Sequence, residues 1–290
     1  MKLALIAHPA KYRVQEPLQT VLEWCAENNS GGLAVESLCN TVAARHRDCL
    51  EIVRTEEEAV EKADLAVAIG GDGTMLFAAQ IVRNFRLPIL GINCGRLGFM
   101  ANIQQDQIST SLTAVQNGTY RIDERTMLQA ELNGGQTFYA LNEFLFTKKD
   151  TTSLITLTAS YDDVFINQYW ADGLIVASPT GSTAYNLSTG GPIVMPGTPV
   201  MVLTPINPHT LTTRPLVLPS DKSLTITMEE DPEHVLFSND GKNSNIESGG
   251  LKVRVKKSDH TVKLVQLQNQ NYFDTLRNKL MWGMDSRKKS

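Results

Sequence analysis

The run Gly70-Gly71-Asp72-Gly73-Thr74 sets one carboxylate among glycines, directly after the apolar stretch Leu65-Ala66-Val67-Ala68-Ile69. A short apolar run that ends in glycines reads as a buried strand, and the spacing of Leu76, Ala79 and Ile81 predicts a helix packed back against it. Glycines let a phosphate approach without a Cβ in the way, and backbone N–H groups at a helix start attract anions. A carboxylate does nothing to hold an anion, so Asp72 over such a phosphate would meet a proton or a bridging Mg²⁺, and the chemistry is phosphoryl transfer. A second reading stands beside this one: Gly-Gly-Asp-Gly is also turn chemistry, with Asp72 as a helix N-cap. Neither a Gly-Lys-Ser/Thr phosphate loop nor a G-x-G-x-x-G opening follows the first strand-like run, Leu3 to Ala7.

Two further groups could carry chemistry. In the segment from Asp172 to Ser188, a strand over Leu174 to Ala177 leads through Pro179 into a Gly-Ser-Thr helix start. Hydroxyls and unpaired N–H groups would converge there. Tyr185 offers an aromatic face for a base, while the alternative is simply a helix capped by serine and threonine. Asn142-Glu143 lies inside the apolar strand Phe138 to Phe146. Neighbours on a strand face opposite sides, so one of the pair points inward and needs a partner there. A sugar's vicinal hydroxyls would satisfy both if a bulge turned them together, and a buried structural hydrogen bond would serve equally.

The elements that position these residues change character along the chain. With 290 residues, 42% of them apolar, there is material for two cores, and a formal charge of −4 provides no basic field for nucleic acid. Up to about residue 120, strand-like runs (Leu3 to Ala7, Leu65 to Ile69, Pro88 to Ile92) alternate with helical patterns (Leu18 to Ala26, Thr55 to Ala63). That alternation predicts a parallel sheet covered on both faces, with ligands beyond the carboxyl ends of its strands. From Thr126 to about Leu267, Thr/Val/Tyr-rich runs break at Asn133-Gly134-Gly135, Tyr161-Asp162-Asp163 and Asp240-Gly241, which predicts an antiparallel sandwich with one helical interruption near Thr183 to Ser188. Tyr272 to Trp282 reads as a final helix packing back on the first domain. The expected fold is therefore an α/β Rossmann-like N-terminal domain (1–120) plus an all-β sandwich domain (121–267) and a C-terminal helix (268–290), α+β overall.

Cys25, Cys39, Cys49 and Cys94 lack a C-x-x-C pair, and His8, His46, His234 and His260 lack metal-ligand spacing, so no protein-held metal is expected. The start, ending at His8-Pro9, reads as a strand-to-loop exit rather than as a signal peptide, and no run approaches a membrane span. These features point to a cytoplasmic protein that binds no membrane, and the basic run Arg287-Lys288-Lys289 reads as a solvated tail.

Together, the glycine-flanked aspartate, the Asn142-Glu143 pair and Gly181-Ser182-Thr183-Ala184-Tyr185 resemble the NAD kinase family of bacterial type, whose members phosphorylate NAD to NADP. The likeness extends to Gly91-Ile92-Asn93 with Gly95-Arg96-Leu97-Gly98-Phe99, to Pro208-His209-Thr210-Leu211 with Arg214-Pro215, and to Tyr272-Phe273-Asp274-Thr275-Leu276-Arg277 with Lys279-Leu280. It implies an NAD site between the two domains and a homodimer or homotetramer whose neighbouring subunit helps build it. ATP and Mg²⁺ (or another divalent cation) are implied beside NAD. By the same resemblance, Asp72 is the general base on the 2′-hydroxyl of the adenosine ribose, Asn142 and Glu143 hold that ribose, and Asp172 binds the nicotinamide end. Thr183, Ala184, Tyr185, Asn186, Leu187 and Ser188 line the adenosine site, and Gly70, Gly71, Gly73, Thr74 and Phe99 complete the nucleotide-binding set. Lys242 either reaches the pyrophosphate or is a surface lysine. Trp170-Ala171 departs from the basic and small residues common before the aspartate, and Trp170 either packs on the dinucleotide or fills the sandwich. His209 is expected to be structural. A lipid or sugar kinase of the same superfamily and a non-catalytic NAD sensor are the other readings.

Overall fold

The computed structural model describes residues 1–8, 12–40, 42, 44–95, 97–133, 135–149, 151–228, 234–244, 251–268 and 270–282. Pro9, Arg96, Gly134 and the tail Arg287-Lys288-Lys289 lie outside the described residues. The chain divides into two compact units, residues 1–124 with 262–290, and residues 125–261.

The first unit alternates strands and helices: β1 (Lys2–Ala7), α1 (Gln15–Glu27), β2 (Gly31–Val35), α2 (Glu36–Cys39), β3 (Leu50–Val53), α3 (Glu56–Lys62), β4 (Leu65–Gly70), α4 (Asp72–Val82), β5 (Ile89–Asn93) and α5 (Ile108–Gln116). A further helix, α7 (Tyr272–Leu280), is the last among the described residues. The strands order β5-β4-β1-β2-β3, all parallel. Leu3 and Leu5 of β1 share one face with Val67, Ile69, Leu90 and Ile92, and that face is covered by Val21, Leu22 and Trp24 of α1 and Ile108 and Leu112 of α5. The alternate residues face α3 and α4 on the other side. Each residue of β4 is buried, as a central parallel strand requires. On α4 the buried face is Met75, Ala78, Ala79 and Val82, with Ile81 beside it. Leu76 is half-buried, a one-residue rotation from the predicted face that follows from the helix starting at Asp72.

The second unit is a sandwich. One sheet orders β13 (Leu216–Pro219), β12 (Val200–Ile206), β11 (Gly173–Ala177), β8 (Glu143–Lys148), β15 (Val235–Asn239) and β16 (Lys242–Ser244), each pair antiparallel. The facing layer carries β10 (Val164–Ala171), β9 (Ile155–Tyr161), β14 (Leu224–Met228) and β7 (Gln136–Ala140), together with residues 125–132 of β6 (Tyr120–Leu132) and 251–261 of β17 (Leu251–Leu267), whose remaining residues belong to the first unit. Phe144, Phe146 and Phe237 from the first layer share one core with Leu157, Ile226 and Val253 from the second. The ring of Phe237 stacks on Phe144 at 5.7 Å. Asp162-Asp163 and Asp240-Gly241 close two-residue hairpins with positive φ throughout (51°, 62°; 48°, 78°), the twist-matched geometry that aspartate and glycine tolerate. The helical interruption is a 3₁₀ turn, Gly181–Thr183, followed by α6 (Tyr185–Ser188). One expectation is overturned: Phe138 to Phe146 is not a single strand, because the chain leaves β7 at Ala140 and re-enters as β8 at Glu143.

Candidate active site

In the first unit, β4 passes into α4 through Gly71 alone, which is the N-cap. Asp72 is therefore the first helical residue and not the cap, and the glycine run is a strand-to-helix junction rather than a loop. Thr74 is buried, and its N–H returns to the Gly71 carbonyl at 2.9 Å. Added Cβ atoms on Gly71 and Gly73 would meet nothing, so the junction presents an open backbone face at the carboxyl end of the sheet.

The Asp72 side chain turns towards the segment after β5. Its Oδ2 accepts the N–H of Phe99 at 2.9 Å, and its Oδ1 accepts those of Met100 and Ala101 at 3.0 and 3.2 Å. A Cβ on Gly98 would stand 2.3 Å from Oδ1, so glycine is required for this close approach. Beside the junction, Asn93 keeps its Nδ2 buried and without a hydrogen-bond partner among the described residues. Half-buried Phe99 lies under the Lys279 ammonium, 5.9 Å from the ring centroid.

In the second unit, Asp240 explains the break between β7 and β8. Its carboxylate accepts the N–H groups of Leu141 and Asn142 at 2.8 Å and of Glu143 at 3.2 Å, so three consecutive amides wrap one anion in place of a strand ladder. The Asn142 carbonyl accepts the Ser178 N–H at 2.8 Å, and the Ser178 hydroxyl accepts the Gly181 N–H at 3.2 Å. Gly181 itself packs so closely on Asn142 that a Cβ would stand 2.1 Å from the Asn142 carbonyl oxygen. The amide-carboxylate pair and the Gly-Ser-Thr turn thus form one cluster.

Within it, burial and then the neighbouring Asp240 charge push Glu143 up to about 8. Its Oε2 is buried without a hydrogen-bond partner among the described residues. Near neutral pH the carboxyl is mostly protonated, so it both donates and accepts, which suits a hydroxyl. Asn186 is spent internally: its amide donates to Ser182 and Pro192, and its oxygen accepts from Thr204 at 2.6 Å. Thr183, Ala184 and Leu187 are half-buried, whereas Tyr185 and Ser188 are exposed.

Asp172 is not brought to this cluster. β11 pairs Ala177 with Glu143 and Gly173 with Thr147, so Asp172 lies just beyond the other end of the strand, five residue steps from Ala177 or about 17 Å away. There it pairs with Lys148 at 2.7 Å and accepts from Asn207 at 3.0 Å, and these two bonds hold its carboxyl below the usual range. Trp170, 52% exposed, does not fill the sandwich. Instead it lies against His209, ring centroids 4.4 Å apart, and its carbonyl accepts the His209 N–H. Lys242 is exposed on β16, paired with Asn239 in register.

Family models described as the ATP-NAD kinase N-terminal and C-terminal domains match residues 4–120 and 141–267. The NAD kinase of Cytophaga hutchinsonii is 42% identical over 236 residues, 80% of either chain. The chain belongs to the NAD kinase family. An NAD kinase from Moorella thermoacetica is 37% identical over 97% of this chain and 90% of its own. As a member of this bacterial group of NAD kinases, the protein is a transferase of NADP biosynthesis that phosphorylates NAD. The yeast NADH kinase crystal structure, complexed with NADH, superposes with a TM-score of 0.92 over the whole chain and 90% of its own, at 24% identity. An Archaeoglobus fulgidus NAD kinase in complex with ATP gives 0.72 over 96% of this chain and 99% of its own, at 22% identity. Both establish the NAD kinase fold.

Asp240, Lys148 and Asn207 carry no motif that marks a site residue, and Lys279 stands out only as part of the family likeness, without a role. Asp240 was visible only as half of a turn dipeptide, and an Asn-Asp-Gly turn next to a buried strand is the one signal that could have singled it out.

Proposed function

We propose that the enzyme transfers the γ-phosphoryl of ATP·Mg²⁺ to the 2′-hydroxyl of the adenosine ribose of NAD, with Asp72 as general base. The observation that carries this is the state of the Asp72 carboxylate. A carboxylate has about four lone-pair sites; three accept backbone N–H groups, and the fourth is on Oδ2. The side chain is fixed in place with one acceptor position left for a proton. As the ribose oxygen bonds to the γ-phosphorus, the bond from phosphorus to the bridging oxygen breaks to release ADP, and the hydroxyl proton passes to Oδ2. A carboxylate is too weak a base to ionise an alcohol beforehand, so it takes the proton during bond formation, worth on the order of 10²–10⁴-fold. Magnesium enters with the nucleotide as part of the substrate and offsets charge on its phosphates.

In this reading Gly70, Gly71, Gly73 and Thr74 present the phosphate-binding face, with Phe99 completing the nucleotide set. Asn142 and Glu143 hold the ribose hydroxyls, and Thr183 to Ser188 line the adenosine, Asn186 by shaping the turn from within. Asp172 takes the nicotinamide end, and Lys242 approaches the pyrophosphate. The domain division at 120 and 267, the homodimer or homotetramer and a cytoplasmic location belong to the same proposal.

Turnover of NAD and ATP·Mg²⁺, read through an NADP-specific dehydrogenase, tests it with Asp72→Asn alongside. The variant is expected to fold, to bind NAD and to lose most turnover. Unchanged turnover would remove the general-base role, and saturable NAD binding without NADP formation by the wild type would favour a sensor.

A further inference from the structure

The segment Tyr272 to Leu280 belongs to the sequence likeness but has no part in the chemistry so far, and its helix touches the turn that holds Asp72. Lys279, half-buried near the end of α7, donates from Nζ to the carbonyl oxygen of Leu97 and lies over the Phe99 ring. Leu97 directly precedes Gly98, against which Asp72 packs, and the N–H groups of residues 99–101 are the three that hold its carboxylate. Within the turn itself, Gly98 N–H reaches the Ala101 carbonyl at only 3.3 Å. The base of the turn is tied to β5 through Asn93 and Ile103, its amides bind Asp72, and its Leu97 carbonyl takes a contact from outside the sheet. α7 is suited to supply it: Asn271 caps its start by accepting the Asp274 N–H at 2.9 Å, and Leu276 is buried beneath it.

We propose that Lys279 is a positioning residue for the transfer reaction, acting through the Leu97 carbonyl to hold the 97–101 turn and, through that turn, the Asp72 carboxylate. This rests on the role proposed for Asp72. The chain of contacts runs entirely within the first unit, from ammonium to carbonyl to consecutive amides to carboxylate. A bond from an ammonium to a carbonyl is charge-assisted, so it restrains the carbonyl more than a neutral donor would. Loosening it would let the amides drift from the carboxylate, and misplacement of a reacting group by about 1 Å lowers turnover by about 10²-fold.

The test compares wild type, Lys279→Met, Lys279→Arg, Asp72→Asn and the Lys279→Met/Asp72→Asn double variant, by steady-state kinetics and by amide hydrogen exchange over residues 98–101. Lys279→Met is expected to lower kcat by about 10- to 100-fold, to leave KM for NAD within about threefold, and to speed exchange at residues 99–101. Lys279→Arg, which still donates, should recover most of the turnover. Because Lys279 acts through Asp72, the double variant should be no slower than Asp72→Asn alone. Losses that multiply would mean that the ammonium meets a substrate phosphate directly, and they overturn the proposal. So does Lys279→Met with wild-type kcat or unaltered exchange. Should Lys279→Met fail to fold, Lys279→Leu, which also cannot donate, takes its place under the same outcomes. If the wild type forms no NADP, the reading of Asp72 fails separately, and unaltered exchange in the Lys279 variants still overturns the contact chain.

Discussion

Asp240 and Asn142 are 98 positions apart, yet the carboxylate of the first accepts the backbone N–H of the second at 2.8 Å, and that bond diverts the chain out of β7. The first unit repeats the device, with Asp72 taking three consecutive amides of the segment after β5. In each unit an aspartate at a strand end shapes backbone, and each shaped segment carries a residue proposed to meet substrate. The two carboxylates differ in what they are left to do. Asp240 lies in a hairpin turn behind the Asn142-Glu143 pair, whereas Asp72 opens a helix at the mouth of the sheet.

Removing the Asp240 carboxylate should therefore unmake the ribose-binding pair. Asp240→Ala leaves three N–H groups without their anion, and with bonds to charged groups worth about 1.5–3 kcal/mol, a net loss of about 3 kcal/mol is expected after the amides partly find water. For a chain of this size that is a fall in Tm of about 6–12 °C. NAD affinity should fall as well, since Asn142 and Glu143 lose their backbone geometry. A melting temperature within a degree of wild type in Asp240→Ala would mean that the amides are held by something else.

Glu143 yields a pH-dependent prediction. Its folded value of about 8 stands above the ordinary carboxyl value of 4.5, raised first by burial and then by Asp240. Below about pH 4.5 the folded and unfolded chains are both protonated there. As pH rises from 4.5 towards 8 the unfolded chain releases the proton first, so stability falls across that window and levels off above it. Glu143→Gln imitates the protonated group at every pH. Melting curves should show the variant equal to wild type near pH 4.5 and more stable by a few kcal/mol at pH 8. A constant difference across the window would show that Glu143 titrates normally.

Much of this arrangement was legible in the chain because local rules governed it. The parallel strands β1, β4 and β5 are uninterrupted apolar runs, and the aspartate-containing turns closed the hairpins they marked. β2 is not legible in the sequence because it begins Gly31-Gly32, which reads as a turn. Gly32 is in fact glycine for packing, since a Cβ there would stand 2.8 Å from Leu5 and 2.9 Å from Leu50. β3 was hidden differently: it is an edge strand whose Ile52 is 62% exposed, so it has no buried alternation to read. The site divides in the same way. Asp72 stood out through its flanking glycines, but the partner amides, Asp240 and Lys279 are set by long-range pairing that no local pattern encodes. The single strand expected over Asn142-Glu143 failed for that reason, because the anion that breaks it comes from a hairpin far along the chain.

Gly98→Ala probes the Asp72 geometry without touching its chemistry. The new methyl would stand 2.3 Å from Oδ1 and 2.9 Å from the Asp72 carboxyl carbon, so either the turn or the carboxylate must move. Overpacking of this kind costs about 1–3 kcal/mol, which sets the expected loss of stability. The larger effect should fall on turnover, because a displaced carboxylate no longer presents its remaining lone pair where the ribose proton leaves, and kcat is expected to fall by about 10²-fold. KM for NAD should change little, since the proposed ribose contacts lie in the other unit. Steady-state kinetics beside a melting curve separates the two effects. A variant that is destabilised yet turns over at the wild-type rate would show that Asp72 need not be held by the 99–101 amides for transfer to proceed.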